Sequence, residues 1–245
     1  MNRFFVNEDA VKEDIIEITL QEDIKHISKV LRLKEGDKID VSDSNCFEYI
    51  TEISSITPTL ITVKILDKQK FAREPKLRIT LFQCIPKQSK IESVIQKSVE
   101  LGVYDITPVF SDRTIVSEKN NLNRKLERWR KISAEAVKQC KRGLIPQVNN
   151  QLTFNEMLNI LPEYDVVLIP YENEETISIK EVLRGLEEKP DKISIIIGPE
   201  GGFSDEEVMK VIELGGKSVT LGKTILRTET AGPTAIAMVM YELEL

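Results

Sequence analysis

Paired cysteines are missing from this sequence and histidine is nearly so, and both shortages narrow its chemistry. Cys46, Cys84 and Cys140 are the three cysteines of 245 residues. They are odd in number, far apart and form no CxxC, so they build no disulfide framework and suit a reducing compartment. They read as small core residues. His26 is the single histidine. That argues against a zinc site of His and Cys ligands and against a Ser-His-Asp triad, so no metal is expected. No apolar run approaches the roughly 20 residues of a membrane-spanning helix. The start, Met1-Asn2-Arg3-Phe4-Phe5, lacks the apolar core and cleavage site of a signal peptide. A cytoplasmic location with no membrane partner is the expectation.

Net charge is also on the wrong side for an obvious nucleic-acid binder, at −6. Binding depends on local patches rather than on the sum. Between Arg124 and Arg142 stand Arg124, Lys125, Arg128, Arg130, Lys131, Lys138, Lys141 and Arg142 against only Glu127 and Glu135. The remainder of the chain is correspondingly acidic.

Two patterns divide the chain. Residues 1–70 carry short β-rich runs at Val41, Phe47, Tyr49, Ile53, Ile61, Val63 and Ile65, broken by turn signals at Glu35-Gly36-Asp37 and Thr57-Pro58. Asp23 to Arg32 is the exception, with Ile24, Ile27 and Leu31 at helical spacing. A small β-barrel with one short helix is predicted, and Lys68 to Lys76 reads as a linker. From residue 76 to 245 strands and helices alternate. Strands are predicted at Leu77–Cys84, Val103–Phe110, Asp165–Ile169, Lys192–Ile197 and Lys217–Leu221. Helices are predicted at Gln88–Leu101, Asn123–Arg142, Thr176–Leu186, Ser204–Leu214 and Thr230–Leu243. The predicted class is α/β, with a mostly parallel sheet covered on both faces.

Two segments exceed what connection requires. Ile195-Ile196-Ile197-Gly198-Pro199-Glu200-Gly201-Gly202-Phe203-Ser204 takes a buried strand through a glycine-rich turn into a helix. Such a turn lies at the carboxyl ends of parallel strands, where ligands bind. Leu221-Gly222-Lys223-Thr224-Ile225-Leu226-Arg227-Thr228-Glu229-Thr230-Ala231-Gly232-Pro233 links the last strand to the last helix. A polar helix start explains Thr230 and Pro233, but not Arg227 and Glu229 among small residues. Neither segment is a Rossmann fingerprint or a P-loop.

These loops resemble those of the SPOUT (trefoil-knotted) methyltransferases, and within them the RsmE family. The resemblance rests on Gly198–Phe203, on Leu221-Gly222 with Ile225–Ala231, and on Lys97-Ser98-Val99-Glu100-Leu101-Gly102-Val103 with Pro108 and Arg113. Glu135–Arg142 followed by Pro146, Arg3-Phe4-Phe5 and His26–Arg32 extend it over essentially the whole chain. It implies a PUA-like RNA-binding domain over 1–70 and a knotted methyltransferase domain over 76–245. The implied activity is S-adenosylmethionine-dependent methylation of N3 of one uridine in the decoding region of 16S rRNA, by a homodimer acting on rRNA or the small ribosomal subunit. The implied cofactor pocket comprises Leu168, Ile169, Pro170, Gly198, Pro199, Glu200, Gly201, Gly202, Leu221, Gly222, Ile225, Leu226, Arg227, Thr230 and Ala231, with Tyr171 beside it. Lys223 and Thr224 receive no role. Arg227 is the candidate stabiliser of a uracilate oxygen, or else the partner of Glu229 or Glu200 in an ion pair. Glu229, or Glu200, is the candidate proton acceptor. Arg3, Lys25, His26, Lys29 and Arg32 form one candidate RNA patch, and Arg113, Arg130, Lys138, Lys141 and Arg142 another. The rival readings are a SPOUT enzyme methylating ribose 2′-O and a non-catalytic RNA-binding assembly factor.

Overall fold

The computed structural model describes residues 2–71, 74–87, 89–115 and 122–244. The chain forms two compact units, Met1–Glu74 with Val137–Ile145, and Pro75–Ala136 with Pro146–Leu245.

The first unit is a sheet of β1 (Arg3–Phe5), β2 (Ile15–Ile18), β3 (Lys38–Ser42), β4 (Phe47–Ile56) and β5 (Ile61–Lys70), in the order β1-β3-β4-β5-β2. β1 runs parallel to β3 and the other ladders are antiparallel. Alternation aims Ile16, Ile18, Ile39, Val41, Ile61 and Val63 into one core. Ile24 and Ile27 cover it from a short helix. That helix begins two residues before the predicted start, as α1 (Gln21–Lys25), and continues as a π turn over His26–Val30.

The predicted linker is partly ordered by other contacts. β5 runs to Lys70, and Glu74 accepts bonds from the Gly143 and Leu144 amides at 2.7 and 3.0 Å and from Arg142 Nη2 at 2.8 Å. Arg73 lies outside the described residues. The basic helix α3 (Leu122–Cys140) therefore contributes its last turn to the first unit.

The second unit holds a sheet ordered β12-β10-β11-β6-β7-β8, with β9 also on β7, and every ladder is parallel. Its strands are β6 (Arg78–Cys84), β7 (Asp105–Phe110), β8 (Gln147–Val148), β9 (Leu152–Thr153), β10 (Val166–Pro170), β11 (Lys192–Ile197) and β12 (Lys217–Val219). Covering helices bury both faces, so β11 is buried continuously from Ile193 to Ile197. Besides α3 the helices are α2 (Lys90–Glu100), α4 (Phe154–Ile160), α5 (Ile179–Arg184), α6 (Asp205–Glu213) and α7 (Thr228–Leu243). Gln88, the predicted start of α2, is outside the described residues.

Local chemistry sets several boundaries. Ser204 caps α6 through a capping box with Glu207, as its spacing predicts. Ser178 and Glu181 do the same for α5, starting it later than predicted. The short α4 has no counterpart among the predicted helices; Thr153 and Glu156 form its capping box, but only Phe154 and Met157 are buried, too few to show a periodicity. Of the cysteines only Cys84 is fully buried, whereas Cys46 and Cys140 are half-buried. Among the described residues no helix is long and apolar enough to cross a membrane.

Candidate active site

Three strands deliver their carboxyl ends to one place. Pro170 ends β10, Ile197 ends β11, and Thr220 follows β12. The loops beyond them enclose a cavity of about 550 Å³, within the size range of small-molecule sites.

The two glycine-bearing loops are locked to each other from below. Thr228 Oγ1 donates to the Gly198 carbonyl at 2.6 Å and accepts from Gln83 Nε2 at 2.9 Å. Gln83 is fully buried on β6, so the start of α7, the end of β11 and the sheet centre share one polar chain. The third loop is tied through Glu174, whose carboxylate accepts from Thr176 Oγ1 at 2.6 Å and from the Thr176 and Ile177 amides at 2.9 and 3.0 Å. Those bonds, the Thr176 hydroxyl foremost, hold its carboxyl below the usual range. Thr220 N in turn donates to Ile177 O at 2.8 Å.

Much of the wall is backbone. Gly202 has φ +66°, and a Cβ there would collide with the Glu172 carboxylate, so both conformation and space demand glycine. Gly222 also has positive φ. Phe203, Leu221, Ile225 and Leu226 supply apolar surface, and Lys223, Glu172, Glu174 and Glu175 supply charges of both signs. Ile225 is 82% exposed.

Of the residues expected here, Pro170, Tyr171, Gly198, Pro199, Gly202, Leu221, Gly222, Ile225, Leu226 and Ala231 line the cavity. Leu168 and Ile169 do not; they are fully buried in the sheet beneath it. Glu200, Gly201, Arg227 and Thr230 are also absent from the lining. The Gly201 carbonyl accepts from Arg113 Nη1 at 2.8 Å, which places this glycine on the outer side of the loop. Lys223, Thr224 and the acidic run Glu172, Glu174 and Glu175 line the cavity without having been assigned to it. Their signal was position alone, directly after a strand end.

Glu200 and Glu229 pair with neither each other nor Arg227. Lys90 Nζ lies 3.0 Å from Glu200 and 3.5 Å from Glu229, and the Lys87 amide donates to both Glu200 oxygens at 3.1 Å. Burial pushes the Glu200 carboxyl up, but Lys90 and the backbone amides outweigh it and hold it below the ordinary range. The ion pair anticipated for Arg227 is thus made by Lys90. Arg227 is exposed and its guanidinium has no hydrogen bond or ion pair among the described residues.

The candidate RNA residues separate by burial. Lys25, His26, Lys29, Arg32, Lys138 and Arg113 are exposed. Arg3 is half-buried and donates to the Lys141 and Arg142 carbonyls at 3.0 Å each. Arg3, His26, Lys138 and Lys141 border a cavity of about 550 Å³ in the first unit. Arg142 does not join them. It is 5% exposed and its guanidinium is paired with Glu74 at 2.8 Å, so desolvation already commits its charge.

A family profile described as RNA methyltransferase domain matches residues 73–240, and one described as RNA methyltransferase PUA domain matches residues 20–66. The ribosomal RNA small subunit methyltransferase E of Bacillus subtilis is 30% identical over 100% of this chain and 98% of its own. The chain belongs to the ribosomal RNA small subunit methyltransferase E family. That of Mesomycoplasma hyopneumoniae is 35% identical, covering 94% of this chain and 95% of its own. Among solved structures, the family member from Neisseria gonorrhoeae, bound to S-adenosyl methionine, superimposes with a TM-score of 0.86 at 29% identity, covering 98% of this chain and 97% of that one. The fold expected for the family, a mostly parallel α/β domain preceded by a small PUA-like sheet, is the one observed.

Proposed function

We propose that this chain transfers a methyl group from S-adenosylmethionine to N3 of one uridine in the decoding region of 16S rRNA. The observation that carries the reading is the cavity at the ends of β10, β11 and β12, in a chain belonging to a family of ribosomal RNA methyltransferases. Its donor set fits the cofactor. Backbone at Gly198, Gly202 and Gly222 forms a wall without side chains that a planar adenine can approach closely. Phe203 and Leu226 offer apolar surface, and Lys223 and the glutamates suit a ligand bearing both charges.

The bound cofactor supplies an activated methyl group on a good leaving group. The protein's tasks are to hold the acceptor in line and to favour loss of the N3 proton. Arg227, exposed and unpaired beside the cavity loop, is suited to stabilise charge on the uracil oxygen. Glu229 is the proposed proton acceptor of the two, being held less tightly: its Oε2 meets Lys90 Nζ only at 3.5 Å, against 3.0 Å for Glu200. Glu200 is held ionised by its partners and serves the loop.

RNA is proposed to meet residues 1–70 through Arg3, Lys25, His26, Lys29 and Arg32, with Lys138 beside them, and the domain of 76–245 through Arg113. The protein is proposed to act in the cytoplasm as a homodimer with two-fold symmetry, on rRNA or the small subunit. Incubation with small subunits and S-adenosylmethionine, followed by nucleoside mass spectrometry, tests the reading. 3-Methyluridine is expected. A ribose-methylated nucleoside would favour the 2′-O reading, and no methylation with intact RNA binding would favour an assembly factor.

A further inference from the structure

Glu172 is a cavity-wall carboxylate that no side chain neutralises among the described residues. Glu174 is spent on its own loop, and Glu200 and Glu229 share Lys90. Glu172 has neither a hydrogen bond nor an ion pair among the described residues, yet its carboxylate lies against the Cα of Gly202, inside the glycine-rich loop. Its neighbour Glu175 also lines the cavity. The lining holds one cation, Lys223.

We infer that Glu172 makes this cavity select its ligand by charge, favouring S-adenosylmethionine over its demethylated product, S-adenosylhomocysteine. The inference rests on the cofactor reading above. The two ligands differ by one methyl group and one positive charge. Apolar contact distinguishes them only by that single methyl. Adenine, ribose and the amino-acid end are common to both. The charge is therefore the main handle for discrimination. An unpaired carboxylate in the cavity wall attracts the sulfonium and is indifferent to the neutral thioether. Lys223, the cation of the lining, suits the carboxylate that both ligands share and is expected to contribute affinity without selectivity. Loss of the methyl group then weakens the product's hold and lets it leave.

Calorimetric titration of the ligand-free full chain with each compound tests this, at low and high salt. Wild type is expected to bind S-adenosylmethionine several-fold more tightly than the product, with the ratio shrinking as salt rises. Glu172→Gln should lose roughly fivefold in affinity for S-adenosylmethionine, the upper range for an exposed charge pair, and less than twofold for the product. Glu172→Asp should restore part of the ratio. Lys223→Met should weaken both ligands alike. The inference is overturned if Glu172→Gln weakens the two equally or leaves their ratio unchanged while its unfolding curve matches wild type. If neither compound binds wild type, the cofactor reading of the cavity fails first.

Discussion

Thr228 Oγ1 stands 2.6 Å from the carbonyl oxygen of Gly198, thirty residues earlier in the chain. This bond joins the loop after β11 to the first residue of α7. Its second partner, Gln83 Nε2, anchors both to the centre of the sheet. Thr228→Val keeps the shape but removes both bonds, leaving the half-buried Gly198 carbonyl and the buried Gln83 amide each one partner short. It should cost about 1–3 kcal/mol of stability and weaken cofactor binding more than Thr228→Ser does. Urea unfolding and calorimetry on the two variants measure both effects. Equal cofactor affinities would remove the bond from the site's construction.

Adjacent glycines should behave oppositely. Gly202→Ala forces a side chain into a φ of +66° and against Glu172, so cofactor affinity should fall by tenfold or more. Gly201→Ala meets Arg113 at 3.4 Å, an ordinary contact, and should be nearly silent. Thermal shift with and without cofactor separates them. The glycine-rich spelling pointed equally to both.

Charge changes at Arg142 and at Lys25 should separate stability from RNA binding. Arg142→Glu leaves Glu74 without its buried partner and should destabilise the protein by about 3–5 kcal/mol. Lys25→Glu with Lys29→Glu, on exposed positions, should leave stability within about 0.5 kcal/mol. It should flatten the slope of log affinity for rRNA against log salt by roughly 0.7–0.9 per lost contact. Superimposable slopes would move the RNA path away from α1 and its π turn.

Asp105 provides a pH test. Burial at the start of β7 pushes its carboxyl up to about 6, only partly offset by a bond from Thr80, and one of its oxygens is unpartnered. A raised folded value means the protonated acid is favoured in the native state. The associated stability is complete below about pH 4 and is lost as pH rises through 6. Asp105→Asn should therefore stabilise the protein at pH 7, by up to about 3 kcal/mol, and flatten its stability between pH 4 and 6. Denaturation curves at several pH values decide it; a variant less stable at pH 7 would show that the ionised form is compensated.

Local patterning by itself determined the class of this protein. Alternation at Ile61–Val63, the apolar run of β11 and the Ser204–Glu207 box act over a few residues, so spacing reveals them. The spelling of the two loops around Gly198 and Gly222 likewise marked where a ligand would sit. Only the tertiary structure decided which side of each loop faces the cavity. Gly201 turned outward to Arg113 and Gly202 inward to Glu172, because the sign of φ is set by the whole turn. It also decided the fate of charges. Arg142 reads as one more basic residue of α3 until Glu74, 68 residues away, removes it from solvent. Lys90 takes both Glu200 and Glu229, while Glu172 is left unpaired in the cavity wall. Whether a charge is paired depends on long-range packing, and no spacing along the chain encodes that distance.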